Sequence, residues 1–496
     1  MKKLSLVLAL ALLLTSLFTV TAGATAIDPS TLEPYTIKWY SLGEKADNHD
    51  AVVAKINEYL KKNFNAELDL IVNTNNDHLE KLKLITAARE AFDIAFVSTD
   101  YANYVAQEAF YPLKDLLNEY GQDILAQYPT ALWDSVTIGG EIYAVPTHKF
   151  SCSHYYYAIS VTASDAVGVD TAWVNDASLD KLGKWEAFKN WCYEMKAAGG
   201  DKNGYVTSLG TGPFDALYPT ERIGNGVGAV LLGDDSFKGI EKNVVFNQYA
   251  TPEFEAYVRD AYEMAQAGLI PLDPETSVSM KNFDPAVQTQ DSMAKRLPGY
   301  EVTYGQDYEA YFINYAFQTT DKIYGSMNSI SDTSEDPARA MMLINALIAD
   351  TEFANLLYYG IEGQDYTRNE HGQIALNNPK TYNMTTWSLP GFLTAEPDTS
   401  LPIDMVDRYL AFNETLVPAS NLGFAFDEEP VMTEMAAIRQ VTAEYLAPLA
   451  NGLSNPDENL PKFLDALNAA GAEDAIAEMQ AQLSAWRVVQ GYDPAN

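Results

Sequence analysis

Residues 91–121 read AFDIAFVSTDYANYVAQEAFYPLKDLLNEYG, and after a helical run residues 139–146 read GGEIYAVP. Residues 93–97 form a short apolar run with the character of a buried strand. The polar Ser98-Thr99-Asp100 at its carboxyl end opens a helix predicted over 101–109. In an open α/β sheet, ligands occupy the crevice beyond the carboxyl ends of the strands, so Asp100 and Tyr101 are the first candidates for a pocket. Gly139-Gly140 reads as a tight turn into a strand that Pro146 must end or confine to a sheet edge.

Working outward, residues 35–40 (YTIKWY) alternate β-formers, 50–63 have helical spacing, 66–72 read as a second strand, and a helix runs to about 91. The order βαβαβ implies a parallel sheet with helices on both faces. Past Pro146, residues 154–161 read as a strand. A helix over 182–198 places Trp185, Phe188, Trp191 and Met195 on one face, and the Gly- and Pro-interrupted 205–218 suits a pocket-lining segment. A strand at 243–246 and a helix over 252–267 follow. A return to the first sheet is predicted near 320–331. Asp336 then caps a helix with Pro337 at its first position and a buried stripe of Ala340, Leu343, Ile344, Leu347 and Ile348. Three helices close the chain near 429–449, 459–470 and 473–488.

The 91–146 block resembles the extracellular solute-binding proteins of ABC importers, family 1-like. In that family such a strand, a PL-D-L helix and a GG-x-x-YAVP strand lead into the hinge between two lobes. EDPARAMMLINALIADTEFANLLYYGIEGQDY at 335–366 and the tail beginning LGFAFDEEP at 422–471 are similar to the subgroup carrying a DUF3502 region. The resemblance covers most of the chain and is specific to the family, not to a ligand. It implies an α/β, two-lobed periplasmic-binding-protein-like fold of type II, with the ligand cleft between the lobes and a helical C-terminal region. The segments expected are 27–148 and 321–380 for the first lobe, and 149–320 and 381–496 for the second.

The formal charge of −36 would repel phosphate backbones and anionic membrane surfaces, so nucleic acid is not an expected partner. Lys2-Lys3, the apolar run 4–20 and the small residues 22–26 read as a secretory signal peptide, residues 1–26. Its removal takes the charge from −36 to −38, because residues 1–26 contain two lysines and no acid. Many relatives carry a lipid-bearing cysteine at the cleavage site. Here the only cysteines are Cys152 and Cys192, so an exported, extracellular or periplasmic protein without a lipid anchor is expected.

Sugar recognition needs aromatic faces for the apolar side of the ring, and fixed carboxylates, amides or hydroxyls for its many hydroxyl groups. Trp39, Tyr40, Asp100, Tyr101, Tyr143, Tyr155, Tyr218 and Trp387 are the candidates, with a core position and a satisfied polar tip as the competing role of each aromatic. The resemblance places a sugar-binding aspartate at Asp100, which a helix N-cap would also explain. It also places a first binding loop at Ser41 to Lys45. Asp77 on the second loop has the same two readings as Asp100, and His148 reads as a hinge-region histidine reaching the ligand. His148, Cys152 and His154 lack a nearby fourth ligand, so no metal is expected. Gly224-Asn225-Gly226-Val227-Gly228 lacks the spacing of a dinucleotide loop, and no other catalytic motif is present, so neither cofactor nor enzymatic activity is expected.

The reading is an exported, monomeric receptor that captures a small solute, foremost an oligosaccharide, and delivers it to ABC permease subunits. A peptide receptor and a secreted glycoside hydrolase are the alternatives. The hydrolase would need two carboxyls flanking a glycosidic bond.

Overall fold

The alternation at 35–40 extends into β1 (Tyr35–Glu44), whose two side-chain rows are both buried: Ile37, Trp39 and Ser41 on one side, Tyr40 and Leu42 on the other. That is the signature of a strand at the middle of a sheet covered on both faces. The computed structural model describes residues 28–149, 155–201, 204–224, 226–233, 237–271, 286–290, 308–313 and 317–492. The side chains of 155–158, 286–290 and 308–313 lie outside that description, as do Cys152, His154 and residues 1–27, where the sequence reads as a signal peptide.

β1 runs parallel to β2 (Ala66–Asn73), from Tyr35 opposite Ala66 to Leu42 opposite Asn73, and parallel to β3 (Ile94–Val97) at Trp39 opposite Ile94. The crossovers are α1 (His49–Phe64) and α2 (Asn75–Ala87). α1 buries Val52, Ile56 and Leu60, each four residues from the next and hence on one stripe. The predicted βαβαβ order is therefore present. The strand Met327–Ile330 returns antiparallel against β3 and is flanked by Val145–Pro146 at the end of the strand order, where Pro146 costs no ladder hydrogen bond.

The second lobe has its own core. Helix Lys181–Ala197 buries Trp185, Phe188, Trp191 and Met195 as its spacing predicts, in a core that also takes in Met435, Ile438, Phe463 and Met479 of the closing helices Met432–Ala450, Pro456–Ala469 and Ala472–Val489. The glycines that suggested a nucleotide loop are packing positions. A Cβ on Gly228 would lie 2.3 Å from the Met479 sulfur, and one on Gly224 would touch Met435 and Phe426.

Three stretches join the lobes side by side. Phe317–Gln318 and Val417–Pro418 pair in parallel, the Ala419 amide donates to the Gln318 carbonyl at 2.8 Å, and Asn413 donates to the Lys149 carbonyl at 3.3 Å. The first-lobe core continues past residue 380, where the sequence suggested a crossing, through Tyr382, Met384, Leu389 and Ala395. The cause is local: Asn383–Met384 pairs with Gly43 and Glu44 of β1, and the Tyr382 hydroxyl donates to the Leu357 carbonyl at 3.1 Å. Among the described residues, no single helix is long and apolar enough to cross a membrane.

Candidate functional site

β3 ends at Val97, and the chain turns through Ser98 to Asp100 into α3 (Tyr101–Ala106). Opposite stand the second-lobe strand Thr220–Ile223, the crossing helix Thr320–Tyr324 and the segment 421–428. Between them lies an inner cavity of about 170 Å³ lined by Thr99, Asp100, Glu221, Arg222, Asp321 and Tyr324, among others. A wider trough of about 860 Å³ adjoins it, with Tyr104 and Gln107 on one bank and Asp427, Glu428 and Met432 on the other. Asp100 and Asn103 border both spaces, so the two form one cleft with Asp100 near its middle.

Asp100 occupies the N-cap position of α3, yet its carboxylate accepts no capping hydrogen bond from the helix. The capping role that competes with ligand contact is thus unfilled. Facing it, Arg222 is committed to Asp215, with both carboxylate oxygens at 2.6 and 2.7 Å, and Arg439 is likewise committed to Glu428. The cleft's guanidinium groups are neutralised in place, which leaves a wall of carboxylates, hydroxyls and amides with the rings of Tyr324, Phe424 and Phe426. Such a wall suits a neutral, polyhydroxylated ligand.

The other expected site residues scatter. Trp39, Tyr40 and Ser41 are buried inside β1 and belong to the core, because β1 is covered on both faces; the Tyr40 hydroxyl donates to Glu90 at 3.1 Å. Tyr101 is fully buried. Its hydroxyl donates to the Val136 carbonyl at 2.7 Å and accepts the Tyr143 amide at 3.1 Å, so it fastens α3 to the 136–143 turn instead of facing solvent. Tyr143 packs half-buried on the first-lobe core, and Tyr218 packs between Phe214 and Phe237, each 5.4 Å away. Lys45 is exposed and paired with Asp50 at 2.7 Å, and Asp77 is exposed in the first turn of α2.

His148 is buried at the hinge against Tyr128, away from the cleft cavity. The Tyr155 side chain is outside the described residues. Trp387 is the exception among the aromatics. It is 41% exposed, edge-on to Phe96, with the Lys149 ammonium 5.0 Å from its ring centre. It follows Asn383–Met384, which pairs with the carboxyl end of β1, so it stands at the ligand-facing end of the sheet. Cys192 is buried in the second-lobe core, and any pairing with Cys152 lies outside the described residues. No metal-holding cluster of His, Cys, Asp and Glu occurs among the described residues.

Sequence reasoning missed Glu221, Tyr324, Phe424 and Phe426. The FAF of the quoted LGFAFDEEP was a usable signal, since alternating aromatics directly after a crossing have a cleft to face. Burial pushes the Glu221 carboxyl up to about 7, with the charge of Asp321 adding to the rise, and burial pushes His148 down to about 4.

These two shifts oppose each other in stability. Folded Glu221 holds a proton that the unfolded chain releases above the usual 4.5, so its contribution declines as pH rises from 4.5 to 7. Folded His148 refuses a proton that the unfolded chain takes up below 6.5, so its contribution is lost as pH falls from 6.5 to 4. Each is of order 3 kcal/mol at most. Melting midpoints between pH 5 and 7 should therefore rise more steeply with pH in Glu221→Gln than in the parent, and less steeply in His148→Gln. Equal slopes in all three would refute the assignment.

Comparison with known proteins supplies the context. Residues 420–488 match the family model described as domain of unknown function DUF3502. A carbohydrate ABC transporter substrate-binding protein of Streptococcus pneumoniae serotype 4 is 26% identical over 466 residues, 90% of each chain. The crystal structure of an N-glycan transport solute-binding protein, NgtS, from S. pneumoniae is 22% identical, with a TM-score of 0.76 over 91% of this chain and 98% of that one. Its complex with Man5GlcNAc gives 0.68 at 21% identity, over the same 91% and 98%. The chain thus has the two-lobed α/β fold of the solute-binding proteins and carries the DUF3502 region, as the sequence resemblance implied.

Proposed function

We propose that this chain is the exported receptor of a carbohydrate ABC importer, and that it captures an oligosaccharide in the cleft between its lobes for delivery to the permease. The observation that carries the reading is Asp100: a carboxylate at the carboxyl end of β3, unused by its own helix, in the middle of an inter-lobe cleft whose arginines are already paired. A relative of the same fold crystallised with Man5GlcNAc makes branched mannose-containing oligosaccharides the first class to test. In this reading Asp100 accepts hydrogen bonds from ligand hydroxyls, and Trp387 offers a ring face at the same end of the sheet. Contacts made by both lobes exist only when the cleft is closed, so ligand shifts the population toward that form, and the permease reads the new arrangement of lobe surfaces. The protein acts as a monomer and performs no covalent chemistry, since carrying the solute requires none.

A thermal-shift series of the mature protein against mannose, Man1GlcNAc, Man5GlcNAc and di- to pentapeptides tests this. A ligand that binds only the folded state adds about 2.7 kcal/mol at a hundredfold excess over Kd, and the midpoint rises with dose. A rise with the oligosaccharides and not with peptides is expected. A rise with peptides alone would replace the saccharide reading, and shortened sugars in the reaction would make the protein a hydrolase.

A further inference from the structure

The inner end of the cleft holds two polar groups that the fold leaves incomplete. Glu221 is 4% exposed, and its Oε1 accepts the Thr320 amide at 3.1 Å. Its Oε2 is buried with no hydrogen-bond partner among the described residues, and so is the hydroxyl of Tyr324, itself 5% exposed. Both residues line the cavity that Asp100 also lines. Buried polar groups are nearly always paired, and leaving a charged or hydroxyl group unpaired is costly. Two such groups at one cavity are a site awaiting a partner.

The partner's chemistry follows from what the two groups lack. In the ionised form of Glu221, which prevails above about pH 7, the carboxylate oxygen needs a donor, and the phenol needs an acceptor for its proton. A ligand hydroxyl supplies both at once, donating to Glu221 Oε2 and accepting from Tyr324. A ligand ammonium supplies only donors and would leave the phenol proton unmatched. We propose that Glu221 and Tyr324 together read one hydroxyl of the bound saccharide at the hinge end of the cleft, and select for a neutral polyol over an amine.

The inference rests on the saccharide reading of the site and adds its position. Thr320, which holds Glu221, also accepts the Gly423 amide at 2.9 Å through its own hydroxyl, so the hydroxyl is read where two of the crossings meet.

The test is calorimetric titration of Man5GlcNAc and Man1GlcNAc into the parent, Glu221→Gln, Tyr324→Phe and the double variant, with melting midpoints to confirm folding. In Glu221→Gln the single oxygen stays with the Thr320 amide, so an NH2 group replaces the acceptor in the cavity. Each single variant should bind about tenfold or more weakly, and the double variant should lose less than the product of the two, because both groups serve one ligand hydroxyl. Should Glu221→Gln fail to fold, Tyr324→Phe alone decides. A parent that binds while the folded variants bind equally well overturns the inference and leaves the saccharide reading standing. Independent, multiplicative losses overturn the shared hydroxyl. A parent that binds neither glycan overturns the inference together with the reading beneath it.

Discussion

An Asp100→Ala chain is expected to bind Man5GlcNAc about 10- to 100-fold more weakly than the parent, the loss typical of removing a hydrogen bond to a charged acceptor. Its melting midpoint should hardly move. The second half of that expectation is what separates ligand contact from helix capping. A carboxylate that capped α3 would cost about 1 kcal/mol on truncation and lower the midpoint. In the structure no amide of α3 reaches the Asp100 side chain, although Thr74 does cap α2 and Asp336 does cap Pro337–Ala349. Isothermal titration and a melting curve on one preparation decide the matter. A stability loss with unchanged affinity would move Asp100 from the site to the scaffold.

Gly423→Val should be the most damaging single change at the hinge. Gly423 has φ +92°, and a Cβ there would lie 2.6 Å from the Asp134 carbonyl oxygen of the first-lobe helix Thr130–Val136, while its amide is held by Thr320. Neither the left-handed backbone nor the carbonyl can yield cheaply to a β-branched residue. A loss of at least about 2 kcal/mol is expected, from backbone strain plus the clash, together with weakened glycan binding because the third crossing is displaced. Denaturant melts with and without Man5GlcNAc would show it. A variant as stable as the parent would mean that the close approach of the lobes at Gly423 is dispensable.

Local pattern carried the fold a long way. The strand-helix alternation through Val97, the aromatic face of Lys181–Ala197 and the Asp336-Pro337 helix start are all nearest-neighbour signals, and each was legible. The candidate site was legible at Asp100, where topology places a strand end, and at the exposed Trp387. Trp39 and Tyr101 have the composition of sugar-stacking residues, but β1 is covered on both faces and Tyr101 finds Val136, 35 residues away. Those are tertiary facts that no local window contains. Glu221 and Tyr324 are separated by a long stretch of chain and share a cavity only because the crossings fold back beside one another.

The paired crossings have a mechanical meaning. Phe317–Gln318 and Val417–Pro418, with Lys149 tied alongside through Asn413, lie side by side like the leaves of a spring. Hinge closure about such a spring would be a single bending motion. On the proposed function, a long saccharide gripped at the far mouth of the cleft would pull on a lever arm whose fulcrum is the Glu221 end, so a contact would gain leverage with its distance from the hinge. Branch length of the ligand, and not contact number alone, would set how completely the jaws shut.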